Sequence, residues 1–136
     1  MTKEEIIDFM KANPVCYLAT AEGDRPHVRP LGMYKIDERG ILLQLSTVKG
    51  MYRELVQNPK VELCFNGSGK MVRVSGMAEF IEDQGLKEEV VKARAFLKPL
   101  VDAQGWVAIK VFRLTNPVAT VWTMATNFEP KEFIKL

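Results

Sequence analysis

The chain has 136 residues, a formal net charge of +2, 47% hydrophobic and 26% charged residues. That is one domain's worth of sequence with enough apolar material for a packed core, which excludes a disordered polymer or a disulfide-stapled miniature. The small charge and the lack of a dense Lys/Arg cluster argue against a nucleic-acid partner, and no apolar run approaches a membrane span.

Thr2 can cap a helix, and Glu5 completes a capping box. Ile6, Ile7, Phe9 and Met10 follow at helical spacing, and Asn13-Pro14 stops the run. Val15 to Thr20 is a short apolar run bounded by the Glu22-Gly23-Asp24 turn, which predicts a strand. Pro26 to Ile36 reads as the next strand, Asp37-Glu38-Arg39-Gly40 as a hairpin loop, and Ile41 to Leu45 as the returning strand. Val48 to Gln57 predicts a short helix ended by Asn58-Pro59. Val61 to Phe65 and Met71 to Ile81 are strands around the Asn66-Gly67-Ser68-Gly69 turn. In the second of these, Val72, Val74 and Gly76 face one way and Met71, Arg73 and Ser75 the other. Asp83 to Lys98 predicts a helix ending at Pro99. Val107 to Leu114 and Val118 to Met124 read as two strands joined by Thr115-Asn116-Pro117, and the tail from Ala125 shows no period.

About seven strands, most joined by tight turns and without regular βαβ alternation, predict a mainly β single domain over 1–136: an antiparallel barrel with flanking helices. A Rossmann sheet is disfavoured, since no G-x-G-x-x-G follows a strand. Cys16 and Cys64 lie in apolar runs without a C-x-x-C or ligand partner, so two reduced, buried thiols and no metal site are expected. Met1-Thr2-Lys3-Glu4-Glu5 has no apolar signal core behind it, so a cytoplasmic protein is expected.

One stretch carries most of the chemistry. Arg25-Pro26-His27-Val28-Arg29-Pro30 puts two arginines and a histidine on a strand, and Ser46-Thr47-Val48-Lys49 lies at a strand-to-helix corner. Phosphate recognition needs positive charge and hydrogen-bond donors aimed at one point. Arg29 supplies a planar fork. Ser46 and Thr47 supply hydroxyls and the corner's backbone N–H groups. Lys49 stands at a helix N-terminus, where the dipole favours an anion. His27 shares a face with Arg29 and is a candidate proton donor beside a ligand. Tyr52 on the short helix is a candidate either to cover the phosphate or to pack, and Trp106 and Trp122 are candidates either to stack on a ligand ring or to pack in the core or an interface. No residues form an unambiguous acid, base or nucleophile set, so the catalytic residues stay unknown.

These strings, in this order, resemble the pyridoxamine 5'-phosphate oxidase-like FMN-binding split-barrel family. The likeness runs from about Ile6 to about Met124 and adds Tyr52-Arg53-Glu54-Leu55-Val56-Gln57-Asn58-Pro59-Lys60-Val61 and Val72-Arg73-Val74-Ser75-Gly76-Met77-Ala78-Glu79. The resemblance implies a six- to seven-stranded antiparallel split barrel and a homodimer with FMN at the subunit interface. It implies that Arg29 and the strand through Tyr34 line the flavin and that Ser46, Thr47 and Lys49 take the phosphate; His27, Val28, Pro30, Tyr52 and Trp122 complete the cofactor-binding candidates, with Trp122 the better placed of the two tryptophans to meet the ring. Met71 falls where many of the oxidases carry a glutamine that bonds the flavin.

The true oxidases end in a longer segment with a Trp and Arg-Leu-x-Pro, whereas this chain ends Phe133-Ile134-Lys135-Leu136. Vitamin B6 oxidation is therefore not the leading expectation. The chain is more similar to the short, single-domain flavoproteins, some of which are associated with reduction of nitroimidazoles or other small electrophiles. The expected function is an FMN-dependent oxidoreductase acting on a small-molecule acceptor. The alternative is a non-catalytic split-barrel module that binds FMN, haem or a deazaflavin.

Overall fold

A computed structural model describes all 136 residues. Helix α1 (Lys3–Ala12) begins with the expected capping box: Glu5 N–H donates to Thr2 Oγ1, and Thr2 N–H to Glu5 Oε2. Strands β1 (Val15–Glu22), β2 (Arg25–Gly32), β3 (Lys35–Asp37) and β4 (Gly40–Ser46) follow, then α2 (Gly50–Gln57). The chain continues with β5 (Lys60–Gly67), β6 (Lys70–Ile81), α3 (Gln84–Ala93), α4 (Lys98–Gln104), β7 (Ile109–Thr123) and β8 (Ile134–Lys135). No helix is long and apolar enough to cross a membrane.

All strands pair antiparallel in the order β2-β1-β5-β6-β7-β4-β3, with β8 added to β7. The two end strands of this path, β2 and β3, are separated only by Met33 and Tyr34. Three residue steps span at most about 11 Å, whereas seven flat strands would set the edges roughly 29 Å apart. The sheet must therefore curl until its edges nearly meet, which makes it a split barrel.

Its interior is filled by Leu18, Leu43, Leu63, Phe65, Val72, Val74 and Phe112, closed by Ile6 and Met10 of α1 and Met51 and Leu55 of α2. A second layer lies outside: Leu86, Val90 and Val91 of α3 and Val101 of α4 cover Leu42, Ile109 and Val111.

Four boundaries differ from the sequence reading. The strand expected over Pro26–Ile36 breaks at Met33-Tyr34, because Met33 N–H bonds Pro14 and Tyr34 N–H bonds Leu42, carrying the chain from one edge to the other. The helix expected to Lys98 stops at Ala93: Arg94 leaves helical geometry and its guanidinium donates to Met33 O at 2.9 Å. The two strands expected after Val107 are one strand, β7, bent by a bulge opposite Gly76. A Cβ at Gly76 would stand 3.1 Å from Thr115 O, and Asn116 takes φ 49°, so the turn-like Thr115-Asn116-Pro117 marks a kink inside a strand. The tail, without period in the sequence, supplies β8 and raises the strand count to eight. Cys16 is fully buried, with its thiol pushed up to about 12 by desolvation, but Cys64 is only half-buried, contrary to expectation.

Candidate functional site

The β1–β2 register pairs Leu18 with Arg29 and Thr20 with His27, so Arg29 and His27 project to the face that carries the core. Arg29 donates from Nη1 to Thr20 Oγ1 at 3.2 Å and from Nη2 to Glu54 Oε1 at 2.9 Å. Thr20 in turn donates to the same Glu54 oxygen at 2.5 Å. Burial pushes the Glu54 carboxyl up, but the bonds from Thr20 and Arg29 outweigh it and hold the group below its ordinary range. Its second oxygen overlies the first turn of α2, where a Cβ at Gly50 would approach it to 3.4 Å. A second, more exposed set flanks this one: Glu22 accepts from Arg53 at 2.9 Å and lies 3.3 Å from His27 Nε2.

Sequence reading missed Glu54. Nothing in Arg53-Glu54-Leu55 distinguishes it from a solvated helix position, and only the packing of α2 over β1 turns it inward. Its side chain is 5% exposed.

The corner differs in detail from expectation. Ser46 is buried, shares its face with Gln44 and Ile109 under the helical layer, and its Oγ accepts from Val48 N–H at 3.3 Å. The corner N–H groups expected to meet a ligand are already engaged: Thr47 N–H bonds Ala108 O and Lys49 N–H bonds Ser46 O. What the corner offers is the Thr47 hydroxyl and Lys49, which is exposed and has no ion-pair partner. Lys49 is the N-cap of helix α2, which has no side-chain cap and no acidic residue in its first turn; the Glu54 carboxylate reaches back over that turn. Tyr52 does not cover this corner. Its ring packs edge-on to Phe80 at 5.6 Å, against the main core.

Val28 and Pro30 alternate with Arg29 and face outward, level with Ala19 and Tyr17. The ladder extends this outer face across the sheet through Tyr17, Cys64, Arg73 and Thr120, with Met71 beside Trp122 one pair further on. Trp122 donates from Nε1 to Asn127 Oδ1 at 2.8 Å and walls a cavity formed with the tail. Trp106 packs instead on the α3–α4 cluster. The candidates of one chain thus form two groups, Arg29 with the α2 corner and Met71 with Trp122; Arg29 on β2 faces the core, three strands from Met71 on β6 and four from Trp122 on β7, which face outward.

The residues present fit a phosphorylated flavin. Arg29 uses two of its five donors internally, Glu54 fixes the direction of the rest, and Lys49 and Thr47 stand at the adjacent helix start. No group of three or more His, Cys, Asp or Glu side chains is placed to hold a metal ion.

Residues 2–115 match the family model described as pyridoxamine 5'-phosphate oxidase. The chain belongs to this family. Among solved structures, this family member is similar to a NimC/NimA family protein from Clostridium acetobutylicum, with 28% identity over 98% of this chain and 92% of that one and a TM-score of 0.80. General stress protein 26 from Bacillus anthracis str. Sterne shares the fold at 17% identity, covering 98% of both chains, with a TM-score of 0.71. A protein related to general stress protein 26, from Clostridium acetobutylicum, shares it at 17% identity over 98% of this chain and 93% of that one, with a TM-score of 0.71. No match was found among curated proteins.

Proposed function

We propose that this oxidase-family chain is an FMN-binding flavoprotein that works as a homodimer and transfers electrons to a small-molecule acceptor. The observation that carries the reading is the Arg29 fork, braced by Glu54 and Thr20 beside the uncapped start of α2 and the unpaired Lys49. That is a built anion site on a strand whose other face is free to lie along a ring. Phosphate would sit against Arg29, Thr47 and Lys49. Ser46 acts by shaping the corner, since its hydroxyl is turned inward.

Two observations support the dimer. Val15, Tyr17, Val28 and Met77 are 62%, 51%, 68% and 44% exposed on one outer sheet face, an apolar surface that association would cover. Within one chain, the sheet itself separates Arg29 from Met71 and Trp122. One flavin touching both groups takes them from different copies.

Bound FMN would supply the redox chemistry, and the protein would orient it and select the acceptor. His27, tied to Glu22 at 3.3 Å, stands two residues from Arg29 on the same face of β2 as the proton donor of this reading.

The test is an absorbance titration of purified protein with FMN and with riboflavin, beside light scattering. A saturable flavin spectrum, preference for FMN and a dimeric mass are expected. A colourless protein that ignores added FMN would sink the proposal.

A further inference from the structure

The C-terminal tail encloses a site that phosphate binding does not use. After β7 the chain turns over Met124–Thr126, passes Trp122 and closes as β8 on Val118 and Ala119. Between tail and sheet lies a cavity of about 230 Å³, walled by Trp122, Asn127, Glu129, Lys131 and Glu132 among others. A smaller recess of about 30 Å³ adjoins it, between Met71, Arg73, Thr120, Trp122 and Lys131.

The recess has the chemistry of an anion seat. Arg73 and Lys131 have no carboxylate within ion-pair distance. Thr120 is 7% exposed, and its buried hydroxyl has no hydrogen-bond partner. Most buried hydroxyls are satisfied, so this residue of the recess wall carries a hydrogen-bonding capacity that the chain itself does not meet. Thr120 and Arg73 are directly paired across the β6–β7 ladder and project to one face.

The wall is aromatic and fixed. The bond from Trp122 to Asn127 holds the indole where both cavities meet. Glu129 and Glu132 line only the larger cavity, Arg73 lines only the recess and Lys131 lines both, so the recess wall carries positive charge and no carboxylate. The volume is below the roughly 300 Å³ at which sites for drug-sized ligands begin, which restricts the occupant to about one ring.

We propose that this double cavity binds a single-ring aromatic carboxylate, its carboxylate held by Arg73, Lys131 and the Thr120 hydroxyl and its ring stacked on Trp122. Met71 and Trp122 also belong to the flavin reading, so the acid's place beside the flavin ring rests on that reading; the acid site itself does not.

Benzoate is the probe, with benzyl alcohol and benzylamine as neutral and cationic comparators. Binding is read from the Trp122 indole N–H resonance, with Trp106 as internal control, in protein with and without FMN. Saturable binding of benzoate alone is expected. Arg73→Gln and Lys131→Gln should each weaken it about tenfold or more, the usual effect of losing a charge-assisted contact. Lys131 is on the exposed tail, so its variant keeps the test open where Arg73→Gln does not fold. Benzoate binding indifferent to both substitutions, tighter binding of benzylamine, or release of benzoate as FMN saturates would each overturn the proposal. The last outcome would assign the cavity to the flavin. Benzoate binding as expected in a protein that rejects FMN would support the acid site and remove only the flavin reading.

Discussion

Replacing Glu54 by Gln tests the brace that organises the Arg29 site. The wild-type carboxylate accepts from Thr20 at 2.5 Å and from Arg29 at 2.9 Å. The amide keeps the shape but loses the charge, and its oxygen can accept only neutral-acceptor bonds. Breaking a fully buried pair costs about 3–5 kcal/mol. Here the Arg29 side chain is 29% exposed, so water partly compensates the orphaned guanidinium, and a loss of about 2 kcal/mol at neutral pH is expected. The folded-state pKa of Glu54 is depressed below its ordinary 4.5. Its contribution is therefore present above that value and is lost as pH falls through the folded pKa. The assay is urea unfolding of wild type and Glu54→Gln between pH 7 and pH 3, read as midpoint at unchanged slope. The wild-type advantage should be constant near neutrality and shrink at the acid end. Equal stabilities at pH 7, or a gap independent of pH, would refute the claim that an ionised Glu54 braces Arg29.

Lys49→Ala should weaken FMN by about ten- to a hundredfold, the range for one charge-assisted contact, and leave riboflavin nearly unchanged, as measured by flavin fluorescence titration; equal losses would remove Lys49 from the phosphate. Tyr17→Asp combined with Val28→Asp adds charge to the exposed outer face and should give monomers by light scattering without loss of helix or sheet signal by circular dichroism. Phe65→Ala removes a fully buried ring of the barrel interior and should cost about 3–5 kcal/mol in urea unfolding; a loss below about 1 kcal/mol would mean that the interior is not packed as described.

Local chemistry alone determined much of this protein. The Thr2–Glu5 capping box, the Asn13-Pro14 stop and the alternation in Met71–Ser75 fix α1 and the facing of β6, because they depend on near neighbours along the chain. The Ser68-Gly69 turn is also local: both residues take positive φ, as a type I′ two-residue hairpin requires. The strings around Arg29 and Lys49 carried the family resemblance, because each is a run of neighbours along the chain.

Tertiary structure decided the rest. Thr115-Asn116-Pro117 reads as a loop, but pairing with β6 on both sides of Gly76 makes it a bulge in one long strand. Pro26 to Ile36 reads as one strand, but closing the sheet requires its break at Met33-Tyr34. Glu54 looks like any helix-surface acid until α2 docks over β1 and brings its carboxylate to Arg29 from 25 residues away. The tail has no period because β8 is two residues long, and its place comes from the β7 edge it meets. Each depends on contacts between segments distant in the chain, where the energy of closing and packing the barrel outweighs local preference.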